Sequence, residues 1–542
     1  LLVLTLLLPG LPVHAQSEPA ATPLPDTAFE PSACPFTLPA PEKEGTTYEC
    51  GYVTVPMSYQ DGSGTIELAV AVLHATGRVV KDDPILWLEG GPGASALIVA
   101  DTNRNILVEA RKERDVILYD QRGSGYSGYL ECGSYQSAAA QQAGASGTPY
   151  PAAPENDATI EDVYDYALGT AALGYPECWK GYAEQGIDLS TFTTETIARD
   201  SIEVLNALGY DQATLWGTSY GGRVAMAIMR AFPERVRAAV LDSPLPLGIR
   251  RLARFAELET EPAAQLFAWC AQDRACNRAY PDLEERALAL IEQLNAKPLR
   301  VSNDDALHAG LRRGLDGAAL VRLLTAVLPN NPLVAGSIPR AIADLEQGKT
   351  TVAIALLSGS YPPPVKREIP PSLTETTFET LNDPRDARLA LSLAMRTVVL
   401  CNDEAKAVTL DDIAQANEDA PASPLRTQTP YRSAVTLFAQ CEALGIESEP
   451  LDTAPPTAEI PTLILAGEFD GTTAPSWSAE AAEALPDATL VNVPSAGHAT
   501  ARWSECARDI ASAFVQNPDK TLDTGCLAGE TPVLLGPNDP LS

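Results

Sequence analysis

Ser219, Asp470 and His498 are the residues of this sequence whose types and settings best suit nucleophilic chemistry. Ser219 lies in Gly217-Thr218-Ser219-Tyr220-Gly221, between the apolar run Ala213-Thr214-Leu215-Trp216 and a helical pattern from Gly222 to Arg230. A serine on a sharp strand-to-helix turn has its hydroxyl exposed and the next backbone N–H aimed at the same point. Flanking glycines are needed there because a Cβ would collide with the neighbouring strand or helix.

Such a serine needs a base, and the base needs a carboxylate to hold its tautomer. The chain has four histidines. His14 lies in an apolar leader-like stretch, His74 ends an early strand pattern and His308 sits among helical patterns. His498, in Pro494-Ser495-Ala496-Gly497-His498-Ala499, follows the last strand signal and is the candidate base. Asp470, after the strand signal Thr462 to Ala466, is the candidate acid; Glu468 and Asp242 are its competitors. A tetrahedral oxyanion requires two converging donors. The N–H of Tyr220 is one, and Gly91 in Glu89-Gly90-Gly91-Pro92-Gly93 is the candidate for the other.

These residues need a scaffold that brings strand ends together. Ile85 to Leu88 and Val116 to Tyr119 are continuous apolar runs, as strands buried on both faces are. Earlier strand signals cover Cys50 to Val55 and Ile66 to Leu73, and Ala238 to Leu241 follows the serine helix. Residues from Thr196 to Leu208 carry apolar positions at helical spacing, closed by Gly209. Strands alternating with helices imply an α/β fold, a mostly parallel sheet with helices on both faces. The alternation stops over 250–455, where helical patterns dominate, and resumes at Thr462 and Thr489. The expected organisation is a core over 45–249 and 456–526, a helical cap over 250–455, a linker over 16–44 and a tail over 527–542. A surface excursion is expected over 137–158.

The chain of 542 residues has 38 Lys+Arg against 71 Asp+Glu, a net charge of −33. That field repels phosphate backbones and argues against nucleic acid as a partner. Residues 1–15 resemble part of a secretory signal with cleavage after Ala15, and their apolar run is too short to span a bilayer. The ten scattered cysteines then favour disulfides, with sequential pairing the simplest arrangement: Cys34–Cys50, Cys132–Cys178, Cys270–Cys276, Cys401–Cys441 and Cys506–Cys526. Export to an extracellular or periplasmic compartment is the expectation.

The order Ser219, Asp470, His498 is the chain order of α/β-hydrolases. Gly90-Gly91-Pro92-Gly93, Asp120-Gln121-Arg122-Gly123-Ser124-Gly125-Tyr126-Ser127 and Gly217 to Gly222 resemble the prolyl-iminopeptidase and tripeptidyl-aminopeptidase family of that fold, from about residue 45 to 526. One departure is Glu89, where the family usually has histidine before the glycine loop. The resemblance implies a serine exopeptidase, working as a monomer without metal or organic cofactor, on peptides with free amino termini. Cap carboxylates are expected to anchor that terminus, and Glu404, with Asp403 beside it, is the candidate. Arg122 is expected to brace loops beneath the site. An esterase with the same three residues, or a binding protein on the same fold, are the alternatives.

Overall fold

A computed structural model describes residues 28–132, 159–172, 174–311, 314–360, 389–420, 422–427 and 429–540. The leader-like stretch 1–15, the whole of the 137–158 excursion and the proline-rich break at Tyr361 to Pro364 lie outside them.

The apolar runs build the centre of a nine-stranded sheet in the order β1-β2-β3-β5-β4-β6-β7-β8-β9. Its strands are β1 (Phe29–Ser32), β2 (Tyr48–Pro56), β3 (Thr65–Leu73), β4 (Ile85–Leu88), β5 (Val116–Tyr119), β6 (Ala213–Thr218), β7 (Val236–Asp242), β8 (Thr462–Gly467) and β9 (Ala488–Val493). From β5 to β9 all neighbours run parallel, while β1, β2 and β3 form an antiparallel flank joined to β5. Alternation along each central strand loads both faces. Leu86, Leu88 and Ile117 enter one core with Ile197 and Val224; Ile85, Trp87, Val116 and Leu118 enter the other with Ile510 and Phe514. This is the mostly parallel α/β-hydrolase sheet with helices on both faces.

Six helices matter for the site: α1 (Ile160–Ala171), α2 (Thr194–Leu208), α3 (Tyr220–Ala231), α4 (Ala256–Gln272), α5 (Leu393–Asp403) and α6 (Thr429–Leu444). Helices between β7 and β8 have their own apolar core, including Leu266, Leu290, Leu324 and Ile342. Three boundaries differ from the sequence expectation. The segment assigned to a linker contains β1, whose residues pair with Cys50 to Val53 of β2. Helix α1 precedes the expected cap, yet its Val163 packs with Phe255 and Tyr431. The expected tail returns to the cap: Leu535 is fully buried in its core, and Leu535 N–H donates to Gly336 O at 2.9 Å.

All ten cysteines are disulfide-bonded, in the sequential arrangement. Among the described residues no helix is long and apolar enough to cross a membrane.

Candidate active site

Buried β6 delivers the chain to Ser219, and α3 leaves it. Ser219 holds φ 58° and ψ −121°, a region that costs a non-glycine residue on the order of 1–3 kcal/mol. The surroundings impose it. Ser219 N–H donates to Asp242 O at 3.0 Å, and Ser219 O accepts from Leu245 N–H at 2.9 Å. The turn also leaves no room for side chains: a Cβ on Gly221 would lie 1.9 Å from Leu88 O, and one on Gly90 would lie 2.9 Å from Ser219 Cβ.

Asp470 and His498 lie just beyond β8 and β9, which neighbour the serine side of the sheet. His498 Nδ1 is 2.9 Å and 3.1 Å from the two Asp470 oxygens. Thr472 and Thr473 N–H groups and the Thr473 hydroxyl also donate to that carboxylate, at 2.8 to 2.9 Å. Burial pushes the Asp470 carboxyl up, but the charge and hydrogen bond of His498 and the two N–H donors outweigh it and hold it below its ordinary value. An ionised carboxylate only accepts, so Nδ1 carries the proton and Nε2 is left basic. Ser219 and His498 make no direct hydrogen bond among the described residues.

The two competitors for the acid have other partners. Glu468 accepts from Ser495 N–H at 3.4 Å. Asp242 accepts from Thr500 N–H and hydroxyl, both 2.7 Å, and from Ala501 N–H at 3.1 Å. Beside it, Ser243 Oγ accepts from Ala499 N–H at 3.1 Å and Ser243 O accepts from the Thr473 hydroxyl at 2.9 Å. The end of β7 thus joins the serine turn, the acid loop and the histidine loop. Of the other histidines, His74 lies beside Glu49 and Asp115 and His308 is exposed on a cap helix, while His14 lies outside the described residues.

The glycine loop abuts the serine. Glu89 clamps it: its carboxylate accepts from Trp87 Nε1 at 2.9 Å, Asn103 Nδ2 at 3.2 Å and Gly90 N–H at 3.2 Å. The Gly90 donor is therefore engaged, whereas Gly91 N–H has no acceptor among the described residues. Tyr220 opens α3, where helix geometry leaves N–H groups without an intrahelical acceptor. Its own hydroxyl is buried against the Thr194 hydroxyl at 2.8 Å. Behind the loop, Arg122 is fully buried with two 2.7 Å contacts to Asp200 and further donation to Met57 O at 2.8 Å.

The two cap acids separate. Asp403 turns away from the site, accepting from Thr194 N–H at 3.2 Å and from the Thr194 hydroxyl at 2.6 Å, and burial pushes it up to about 7. Glu404 pairs with Arg223 of α3 at 2.6 Å, and its other oxygen is enclosed without a partner among the described residues. Glu404 also lines a cavity of about 770 Å³, with Arg251, Phe255, Leu258, Arg396 and Gly471 in its wall. Gly471 adjoins Asp470, and Arg396 follows Ser392, whose N–H donates to Gly93 O at 2.9 Å. Sequence reasoning missed Arg223, Arg251 and Arg396. A cation directly before the apolar run Val224 to Ile228, at the start of the serine helix, was the available signal for the first.

Residues 83–274 match a family model described as alpha/beta hydrolase fold, and residues 429–526 match one described as TAP-like protein. The chain has the α/β-hydrolase fold. Its resemblance to the tripeptidyl-aminopeptidase and prolyl-iminopeptidase group stands on the second match and on curated relatives. A tripeptidyl aminopeptidase of Streptomyces lividans is 31% identical over 222 residues, covering 40% of this chain and 37% of that one. Serine protease Hip1 of Mycobacterium tuberculosis (strain ATCC 25618 / H37Rv) is 28% identical over 243 residues, 42% of each chain. The matched region thus spans about two fifths of those relatives. Among solved structures, proline iminopeptidase of Mycobacterium smegmatis is similar at 16% identity and a TM-score of 0.34, covering 86% of this chain and 99% of that one.

Proposed function

We propose that this α/β-hydrolase is an exported serine peptidase that releases short peptides or single residues from unblocked amino termini. The observation that carries the reading is the Asp470–His498 pair, at 2.9 Å, on the same sheet end as the strained Ser219 turn. Ser219 Oγ attacks the scissile carbonyl as His498 Nε2 takes its proton. The oxyanion is received by the Gly91 and Tyr220 N–H groups, and His498 returns the proton to the leaving amine. Water, deprotonated by His498, then hydrolyses the acyl-enzyme.

End-selection is assigned to the cap. The oxygen of Glu404 not taken by Arg223 is enclosed and has no partner among the described residues, so a substrate ammonium gains a charge-assisted contact with it once the side chain turns toward the cavity it lines. Asp403, committed to Thr194, has no part in it. The five disulfides fit an oxidising compartment and support export.

The test is mass spectrometry of products from peptides with free and acetylated amino termini. Free peptides should be shortened from that end and acetylated ones left intact. Equal hydrolysis of both would overturn the aminopeptidase assignment, and cleavage of esters without any peptide cleavage would make the protein an esterase.

A further inference from the structure

The cavity next to the active site is cationic in a chain of net charge −33. Its wall holds Arg251, Arg322 and Arg396 against Glu259 and Glu404. Both acids are compensated: Glu404 by Arg223 at 2.6 Å, and Glu259 by Thr427 N–H at 2.8 Å and the Thr427 hydroxyl, with burial raising Glu259 towards its neutral form. Arg322 is spent on Ala309 O and Gly310 O. Arg251 and Arg396 differ. Both are half-buried, neither makes a hydrogen bond or ion pair among the described residues, and none of their nitrogens is sealed from the cavity.

Two guanidiniums facing one cavity without an acceptor are costly to hold there. Burial, then the like charge of Arg251, pushes Arg396 down to about 10. Burial pushes Arg251 down as well; the charge of Glu404 opposes this, and Arg223, which already holds that carboxylate, adds to it. A planar anion would relieve both cations, and guanidinium forks match a carboxylate through paired N–H contacts. The position is favourable too, because Arg396 sits one turn beyond Ser392, which is bonded to Gly93 in the glycine loop.

We propose that this cavity is a carboxylate subsite, in which Arg251 and Arg396 bind an anionic group of the peptide substrate. The assignment rests on the peptidase reading for what the ligand is. The carboxylate belongs either to an acidic side chain or to the C-terminus of a short peptide. An acidic peptide is then favoured over its amide counterpart although the protein as a whole is strongly acidic.

The experiment is titration calorimetry on Ser219→Ala, which removes turnover. Four tripeptides with free amino termini are compared: one Glu-containing and one Gln-containing, each as free acid and as C-terminal amide. The expected result is a preference of about tenfold within one pair, the size of a modest charge-assisted contact. Preference for Glu over Gln assigns the side chain, and preference for acid over amide assigns the C-terminus. Adding Arg251→Gln or Arg396→Gln should bring the preferred peptide down to its partner, with melting curves checking the fold. Equal affinities within both pairs, or absence of binding, overturn the subsite, as does a preference that survives both folded arginine variants. Wild-type turnover of the same peptides is read separately. Inert wild type with the binding preference intact overturns the peptidase reading and leaves the anion site.

Discussion

Asp242 accepts two hydrogen bonds of 2.7 Å from Thr500, one from its N–H and one from its hydroxyl, and so couples the strand beside the serine to the loop that carries His498. The carboxyl is buried, with burial pushing it up and the Thr500 and Ala501 donors pulling it back. Asp242→Asn cannot accept from all three donors, because one of its two head atoms becomes a donor itself. The variant should lose about 1–3 kcal/mol of stability, the cost of an unsatisfied buried group. It should also lower kcat more than it raises KM, since His498 moves while the cavity walls do not. Denaturant unfolding and steady-state kinetics on a short peptide check this; a rise in KM alone would count against the coupling.

Asp470 and His498 make a sharper test of the proposed chemistry. Asp470→Asn keeps the volume but offers His498 Nδ1 an amide, which allows the wrong tautomer. A loss of about 10⁴ in kcat is expected, with melting behaviour near wild type. Ser219→Ala should be at least as damaging, and combining the two should add little, because the residues act as a unit. Multiplicative losses in the double variant would mean the two residues do not share one step.

Much of this arrangement could be read from the chain because local pattern and final position coincide. Ile85 to Leu88 is apolar throughout because both faces of β4 are covered, Ser219 and Asp470 each follow a strand buried along its whole length, and His498 follows the partly exposed edge strand β9. Phe29 to Ser32 was not legible, since a run holding proline and acid becomes a strand only through its pairing with β2. Nor was the burial of Leu535, which depends on a groove made by distant cap helices. The Arg223–Glu404 pair joins residues 181 positions apart, and no periodicity encodes that. The same holds for Asp403: its neighbour faces the cavity, but its own carboxylate caps the start of α2.

Stability should fall as pH rises through the weakly acidic range. Asp403 and Asp120 are each pushed up to about 7, in both cases mainly by burial. Unfolded, they release their protons near the ordinary value of 3.8. Between those values the unfolded chain binds fewer protons than the folded one, so each step up in pH favours unfolding, and the loss levels off above about 7. Asp470 works the other way: held below 3.8, its contribution is present above that value and is lost only as pH falls beneath it. Tm should therefore be higher at pH 5 than at pH 8. Asp403→Asn, which can still accept from Thr194, should flatten that slope. Parallel slopes for wild type and variant would show that Asp403 is ionised in the folded protein.

The Cys401–Cys441 disulfide links the end of α5 to α6, and these helices supply facing parts of the cavity wall, Arg396 and Leu400 on one side, Ala434 and Leu437 on the other. Closing a separation of 40 residues stabilises by about 2–4 kcal/mol. The double variant Cys401→Ser/Cys441→Ser should lose that much, and the two helices should then hold the cavity less firmly. Because Ser219, Asp470 and His498 lie on neither helix, KM should rise while kcat changes little. Cys34→Ser/Cys50→Ser provides the comparison. Its disulfide secures the antiparallel edge at β2, far from the cavity wall, so stability should fall with KM unchanged. Equal KM increases in the two double variants would point to general loosening of the fold and would sink the specific role of the Cys401–Cys441 link.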